Sequence, residues 1–510
     1  MNKIYLKFLP LVAFGFLACE PEFDESVEEN EMYTAGEADF STYVAVGNSL
    51  TAGYADNALY RQGQMNSLPN IMAGQFERVG GGEFTQPLMA DNLGGLKLNG
   101  QIISGNRLVL STTSGSPSPA PIAGEPQTEV TNKLSGSFNN MGVPGAKSFH
   151  LAAPGYGNVA GVASGQANPY FARFSSSDNA TIIDDALAQN PTFFSLWIGN
   201  NDILGFATSG GAGVDQTGNL DPLTYGGNDI TDPNVFAQTY SDLASSLSAN
   251  ASGGVVYNIP NITNIPFFNV IAPDVVPLDE QTAAQLNAGF QAYNSQVLPG
   301  LVQFGIISAE EAQLRQVNFQ AGNNYVTLVD EDLTDISQIL QGPPFNLPAQ
   351  QAQLLGQIRQ ANDNDLIPLT ASSVIGSTVG GDPTQINGVS IPLSDQYVLT
   401  SSEIEMVQNA RMSYNATIQS IAEANNLVMV DADALLSDVS QGIPFEGGII
   451  TSEFVTGGGF SLDGVHLTPR GYALVANETI RLINQKYGSN IPQVILGSYG
   501  TINFSDDVMN

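Results

Sequence analysis

The chain contains few of the residues on which several classes of function depend. Its 510 residues include one cysteine, two histidines and 15 lysines and arginines, against 49 aspartates and glutamates, so the net charge is −34. A single cysteine excludes an intramolecular disulfide. Stability must therefore come from burial, for which this length suffices in one large domain or two smaller ones. So few histidines and cysteines exclude an ordinary zinc site. The scarcity of cations argues against binding a nucleic-acid backbone, which requires clustered lysines and arginines.

Apolar runs long enough to cross a bilayer are also missing. The run at residues 8–17 is too short to span a membrane, but with Lys3 and Lys7 before it, it is typical of an export signal. Cys19 directly follows a small residue at the end of this run, an arrangement that resembles a bacterial lipobox. We therefore expect a lipoprotein signal peptide over residues 1–18 and membrane attachment through a lipid on Cys19. An ordinary secretory signal with an incidental cysteine is the alternative.

The segment after the cysteine is strongly acidic. Residues 20–31 are rich in glutamate and aspartate, and their composition predicts a flexible tether over residues 19–40. Acidic residues directly after such a cysteine resemble the surface-export signals of Bacteroidetes lipoproteins. This resemblance implies a location at the bacterial outer membrane or cell surface.

Beyond this segment, short apolar runs alternate with helical stretches. The runs predict buried strands and lie at residues 42–46, 193–198, 254–259 and 427–430. The helices are predicted at residues 180–189 and 235–247, from Thr400 with Glu403 in a capping box, and from Thr468-Pro469 to about residue 487. Such alternation predicts an α/β fold, a three-layer α/β/α sandwich with a central parallel sheet. In these sheets, ligands bind at the carboxyl ends of the strands.

Two long inserts interrupt this pattern. The first, residues 55–135, is rich in Gly, Pro and Ser, and its Asn99-Gly100 pair predicts a two-residue hairpin turn. The second, residues 263–400, has helical stretches at 279–297, 308–316 and 347–360. Whether the inserts form a lid over a site or only decorate the domain stays open at this level.

One histidine has a carboxylate at fixed short range. Asp463 lies three residues before His466, and a carboxylate against Nδ1 fixes the imidazole tautomer so that Nε2 can take a proton. Ser49, just past the first predicted strand, is a candidate nucleophile, since a serine needs an adjacent base. The other histidine, His150, has no nearby acidic residue in the sequence and is interpreted as a bystander.

Four short segments carry this chemistry in order along the chain. They are Gly47-Asn48-Ser49-Leu50-Thr51, Asn140-Met141-Gly142-Val143-Pro144-Gly145, Gly199-Asn200-Asn201-Asp202 and Asp463-Gly464-Val465-His466. In order and spacing they resemble the motif blocks of the SGNH hydrolases, also called GDSL esterases and lipases. The resemblance implies a flavodoxin-like α/β/α domain over residues 41–487, with a C-terminal tail over 488–510.

The resemblance also implies a role for each segment. Ser49 matches the family's nucleophile, while Asp463 and His466 match its acid–base pair. Gly145 and Asn201 match the residues that complete the oxyanion hole with the backbone of Ser49. No metal or cofactor is implied. The implied function is carboxylester hydrolysis through an acyl-enzyme on lipid or acyl esters. A carbohydrate acetylesterase of the same fold and a non-catalytic surface binding lipoprotein are the alternatives.

The chain departs from the family pattern at two points. The family often has aspartate where this chain has Asn48, so a carboxylate beside the nucleophile is missing. The segment between Ser49 and Gly145 is also far longer than in compact members. We expect the first change to alter hydrogen bonding rather than abolish activity, whereas the second leaves the substrates of small members a poor guide.

Overall fold

A computed structural model describes residues 33–113 and 115–505 of the chain. The predicted signal peptide, Cys19 and most of the predicted acidic tether lie outside the described residues, so lipid attachment stays a prediction. Within the described ranges, no helix is both long enough and apolar enough to span a membrane.

Five parallel strands form the central sheet. They are β1 (Tyr43–Gly47), β2 (Asn140–Gly142), β3 (Phe193–Trp197), β4 (Gly253–Tyr257) and β5 (Val428–Val430). The strand order across the sheet is β2-β1-β3-β4-β5, with every neighbouring pair parallel. This is the flavodoxin-like order of a doubly wound sheet. The predicted α/β fold with a central parallel sheet is therefore confirmed.

Helices cover both faces of the sheet. Successive side chains of a strand point to opposite faces, so they pack into two separate apolar clusters. The helices that flank the sheet or its edge are α1 (Ser49–Ala52), α2 (Leu68–Phe76), α3 (Ile182–Leu187), α4 (Asn201–Thr208), α5 (Pro233–Ser248), α6 (Ser401–Ala424), α7 (Ala432–Gln441) and α8 (Pro469–Tyr487). One cluster joins Val44 and Leu196 to α3, α5 and α6. The other joins Tyr43 and Val255 to α2 and α8. The domain is thus a three-layer sandwich with a core on each side of the sheet.

The strand order places one crevice at a defined point of the sheet. β1 pairs with β2 on one side and with β3 on the other, so the winding direction reverses between β1 and β3. Loops that leave the carboxyl ends of these two strands run to opposite faces and leave a gap between them. Ser49 follows β1 and Asn201 follows β3, so both residues lie at this gap.

Most of the predicted elements are confirmed within a few residues. The helix predicted from Thr400 begins at Ser401, and Thr400 and Glu403 form the expected capping box. The hairpin predicted at Asn99-Gly100 also forms, since both residues have positive φ, at 52° and 78°, between strands Leu96–Leu98 and Gln101–Ser104. β2 was not predicted as a strand, because three residues that include Asn and Gly lack an apolar pattern.

The second insert has a hydrophobic core of its own. Its helices are Glu280–Ala292, continuing as a π-helix over Tyr293–Val297, then Leu298–Gln303, Ala309–Leu314, Ser337–Gln341 and Ala349–Leu355. Its strands pair as Val276–Leu278 with Gly322–Asn324 and as Thr327–Val329 with Ile358–Gln360. Leu301, Leu328 and Leu340 are fully buried in this separate cluster. Its base reaches the candidate site, where the N–H of Phe267 donates to the carbonyl of Gly464 at 3.0 Å.

The first insert and the C-terminal segment pack on each other. The hairpin of Leu108–Ser111 and Ser118–Pro121 is extended by the C-terminal segment, since the N–H of Leu110 donates to the carbonyl of Asn503.

Residues 34–40 pack against the end of α8, where the N–H of Glu37 donates to the carbonyl of Tyr487 at 2.8 Å. Residues 34–40, the last part of the predicted tether, are therefore packed on the domain.

The start of α8 allows a test of the fold beside the site. Thr468 is fully buried; its Oγ1 accepts the N–H of Gly471 at 3.0 Å and donates to the carbonyl of Gly458 at 2.6 Å. We expect Thr468→Ala to lower the free energy of unfolding by about 1–2 kcal/mol, because a cap acceptor and a buried donor are both lost. Urea denaturation measures this, with Thr468→Ser as the control that keeps the hydroxyl. Equal losses in both variants would contradict the capping argument.

Candidate active site

The turn that carries Ser49 is held by two buried asparagines. β1 ends at Gly47, and α1 begins at Ser49 with Asn48 as its N-cap. The side-chain oxygen of Asn48 accepts the N–H of Leu50 at 3.0 Å, and its Nδ2 donates to Oδ1 of Asn200 at 3.1 Å. This link ties the end of β1 to the end of β3. Asn48 therefore provides a donor that an aspartate at this position would lack.

A chain of hydrogen bonds joins the two ends of the sequence. His466 Nε2 lies 2.9 Å from Oγ of Ser49, and His466 Nδ1 lies 2.9 Å from Oδ2 of Asp463. Ser49 and His466 are 417 positions apart, so only the fold brings them together. The imidazole also lies beside the ring of Tyr54, with centroids 4.6 Å apart. The three residues that the sequence pointed to are therefore adjacent, in the order hydroxyl, imidazole, carboxylate, which nucleophilic catalysis by a serine requires.

The side chain of Asp463 is largely buried, with 9% of it exposed, and its carboxylate accepts five hydrogen bonds. Its Oδ1 accepts the N–H groups of Val465 at 2.9 Å and His466 at 2.8 Å, and the hydroxyl of Ser461 at 3.1 Å. Its Oδ2 accepts His466 Nδ1 and the N–H of Asn57 at 2.9 Å. Burial raises the pKa of Asp463, but the positive charge of His466 and these hydrogen bonds outweigh it and hold the pKa well below its usual range. The group therefore stays ionised at neutral pH.

A second buried aspartate holds the loop that carries Asp463. Oδ1 of Asp56 accepts the N–H of Leu462 at 3.1 Å, and Oδ2 accepts the hydroxyl of Tyr60 at 2.9 Å. Its own N–H donates to Oγ of Ser461 at 3.0 Å. Asp56 and Asn57 both have positive φ, at 53° and 62°, a conformation that costs roughly 1–3 kcal/mol for a non-glycine residue. The sequence analysis missed both residues, and two adjacent Asx residues in a loop were the only signal.

Three hydrogen-bond donors are candidates to hold an oxygen beside Ser49. The N–H of Ser49 opens α1, and the N–H of Gly145 lies in a left-handed turn with φ of 80°; neither has a partner among the described residues. Asn201 Nδ2 donates to the carbonyl of Ala146 at 2.9 Å, which leaves its second proton unused. This bond fixes the Asn201 amide next to the Gly145 turn. Such an arrangement of donors suits a developing oxyanion.

An apolar cavity opens at Ser49, Asn201 and His466. Its volume is about 90 Å³, and it extends between α4, α7 and α8. Aliphatic and aromatic side chains form nearly all of the remaining wall, among them Leu204, Ile262, Leu435, Leu436, Val439, Phe460 and Leu474. Because nearly all of its wall is apolar, this cavity suits an apolar chain next to Ser49.

His150 does not belong to the hydrogen-bond chain. Its Nδ1 accepts the N–H of Lys147 at 3.0 Å, and its ring stacks on Tyr156 with centroids 4.4 Å apart. Burial, together with the charge of Lys147, lowers its pKa to about 4. His150 is therefore neutral at pH 7 and lies on a different cavity, which also borders Gly145. Within residues 33–113 and 115–505, no group of three His, Cys, Asp or Glu side chains is placed to hold a metal ion.

Comparisons with known proteins add little to this geometry. No protein-family model and no curated protein matches the chain. Among solved structures, the chain is similar to a catalytic mutant of an acetylxylan esterase from Geobacillus stearothermophilus, at 11% identity. The match covers 69% of this chain and 73% of that chain, with a TM-score of 0.24. At that score, the likeness carries no argument about function.

The Asp56 contacts predict an effect on catalysis that exceeds the effect on stability. Asp56→Ala removes the acceptor for Leu462, so the loop that orients Asp463 moves; a displacement of about 1 Å costs on the order of 100-fold in turnover. Asp56→Asn keeps an acceptor there, and we expect most activity to return. Asn57→Gly is the matched control, because it keeps the N–H donor and relieves the positive φ. Ester hydrolysis and thermal unfolding of each variant are measured together. Unchanged turnover in Asp56→Ala would rule out the positioning role.

Proposed function

We propose that the chain is a serine carboxylester hydrolase of the SGNH type that acts on esters of apolar acyl groups. The observation that carries the proposal is the unbroken contact from Ser49 to His466 to Asp463 at the mouth of an apolar cavity. Either contact alone has ordinary structural explanations, such as a capped turn or a buried ion pair. Together with the N–H groups of Ser49 and Gly145, which have no partner among the described residues, they support nucleophilic catalysis.

The proposed reaction has two proton-transfer halves. His466 Nε2 takes the proton of Ser49 Oγ as that oxygen attacks the ester carbonyl carbon, and the carbonyl oxygen becomes an oxyanion held by the three donors. Collapse of this intermediate breaks the bond to the alcohol oxygen, which receives the proton from His466. A water then attacks the acyl-serine with the same base, and the carboxylic acid leaves with Ser49 restored. One oxyanion donor typically contributes about 3 kcal/mol to lowering the barrier.

Asp463 supports this cycle without exchanging a proton. Its hydrogen bond to Nδ1 keeps the neutral ring in the tautomer whose Nε2 accepts a proton, and its charge stabilises the imidazolium that forms. Because its pKa is held low, the carboxylate does not take the Nδ1 proton when His466 becomes cationic, and it stays charged. The hydrogen bonds from Asn57 and Ser461 keep the carboxylate in place.

The acyl part of the proposed substrate follows from the shape of the cavity. The cavity of about 90 Å³ is lined almost wholly by apolar side chains, so it suits an acyl chain of several carbons. An acetyl group would leave most of this apolar wall without contacts. Each buried methylene is worth about 0.8 kcal/mol, or up to about fourfold in kcat/KM. We therefore favour medium-chain acyl esters over the acetyl esters of glycans.

The proposed function can be tested through Ser49 and through the length of the acyl group. We expect kcat/KM for p-nitrophenyl esters to rise from acetyl to about octanoyl, and then to level off or fall toward palmitoyl as the cavity is filled. Ser49→Ala should lower turnover on every ester by about a million-fold. Spectrophotometric release of p-nitrophenol from the domain that begins near residue 33 measures both. A folded protein without activity on any ester would favour the non-catalytic binding role.

The second prediction concerns the cavity wall. Leu204 lies one turn after Asn201 on α4 and lines the cavity, so Leu204→Trp fills space next to the reacting carbon. We expect the octanoyl-to-acetyl ratio of kcat/KM to fall at least tenfold, since several methylenes lose their site. Leu482→Trp is the control, because Leu482 is also a half-buried helical leucine but does not line the cavity. An unchanged ratio in Leu204→Trp would place the acyl chain elsewhere.

A further inference from the structure

A second cavity borders the proposed oxyanion hole. It has a volume of about 890 Å³, far larger than the apolar cavity at Ser49, and Gly145 is part of its wall. The next residue, Ala146, accepts the hydrogen bond from Asn201, and Asn201 lines the apolar cavity. The Gly145 turn therefore lies between the two cavities.

The inner wall of the second cavity is aromatic. Phe149 packs edge-on against Tyr225, with ring centroids 5.7 Å apart, and the ring of His150 stacks on Tyr156 at 4.4 Å with an interplanar angle of 10°. His150 Nδ1 accepts the N–H of Lys147, so the proton of the neutral ring is on Nε2. No described residue accepts a hydrogen bond from that nitrogen. The cavity thus combines flat aromatic surface with neutral polar groups, since the exposed Gln166 also lines it.

The cation on this wall is already engaged. Lys147 is buried, and its Nζ donates to the carbonyl of Asp229 at 2.6 Å and to that of Gly226 at 3.4 Å. Burial lowers the pKa of Lys147, although the nearby carboxylates of Asp202 and Asp229 act in the opposite direction. The one cation that lines the cavity is therefore already bound to neighbouring groups, so the cavity is not built for an anionic ligand.

The outer rim is aliphatic, and its residues come from the first insert and from the loop between α4 and α5. Leu223, from the loop between α4 and α5, is 93% exposed, and Ile103, from the strand Gln101–Ser104 of the first insert, is 43% exposed. Both line the cavity, together with Leu98. A leucine with nearly its whole side chain in water gains nothing for the fold. Its position at the rim of a cavity suits contact with an apolar ligand.

We propose that this second cavity binds the alcohol part of the ester, and that this alcohol is an uncharged, largely apolar group such as an alkyl chain of a lipid. The proposal rests on the proposed function, since it requires the acyl carbon at Ser49. The acyl chain then occupies the narrow cavity, the alcohol occupies the wide one, and the ester bond is held between them by the Gly145 turn. The neutral donor on His150 suits an oxygen of the alcohol part.

Three octanoyl esters test the assignment. Ethyl octanoate, hexyl octanoate and glucose 6-octanoate share one acyl group, and their alcohols are similar as leaving groups. Rates are measured with free, non-aggregated substrate by titrating the released acid. We expect kcat/KM for the hexyl ester to exceed that for the ethyl ester by about tenfold or more, because four further methylenes are buried. The glucose ester should be no better than the ethyl ester.

Two matched double variants locate the effect. Leu223→Ser with Ile103→Ser alters the rim, whereas Leu220→Ser with Ile102→Ser alters neighbours that are 66% and 59% exposed but do not line the cavity. All four side chains are on the surface, so both proteins should fold. We expect the rim variant to lower the hexyl-to-ethyl ratio by at least threefold and the control variant to keep it.

The outcomes separate this inference from the proposed function. No hydrolysis of any of the three esters would overturn the proposed function. Hydrolysis with equal ethyl and hexyl rates, or with preference for the glucose ester, would keep the proposed function and overturn the assignment of the alcohol. A hexyl preference that falls equally in both double variants would show a non-specific surface effect and would also overturn it.

Discussion

A negative charge kept away from water is the constraint on which the site depends. Asp463 is useful to His466 only while it is ionised, and burial opposes ionisation. The five donors around it solve this problem, and they come from both ends of the chain: Asn57 from the loop after α1, and Ser461, Val465 and the His466 groups from the loop before α8. Closing the domain therefore also completes the hydrogen bonding of the carboxylate, because the loop that follows Ser49 supplies one of its donors.

The positive-φ residues acquire a meaning in this setting. Asp56 and Asn57 hold a costly backbone conformation, yet that conformation is what aims one N–H at Asp463 and one carboxylate at the N–H of Leu462. Strain of this kind persists only where the surroundings over-determine it, and Tyr60 and Ser461 provide further bonds to the same turn. The positive φ of Asp56 and Asn57 thus lowers stability, but it holds Asp463 in position beside His466.

How far the sequence predicts the structure differs between the sheet and the site. Strands with continuous apolar runs and helices with caps were predictable, since Thr400 and Thr468 define their helices by local chemistry. β2 was not, because its residues are chosen for close packing beside α1: a side chain at Gly142 would come within 2.3 Å of the Ala52 nitrogen. Ser49, Asp463 and His466 were predictable from short spacing and resemblance. Asp56 was not, because its role exists only after residues more than 400 positions apart meet.

Two different cavities lie beside Ser49 and Gly145, and they are built from different parts of the chain. The narrow cavity is built by the framework of the sandwich, from α4, α7 and α8, so its size is fixed by core packing. The wide cavity takes its rim from the first insert and from the loop between α4 and α5, which are free to vary without disturbing the sheet. Under the proposed function, acyl length is a property of the fold, whereas the choice of alcohol is a property of loops added to it. The long segment between Ser49 and Gly145 then supplies part of the rim of a binding site, through Leu98 and Ile103.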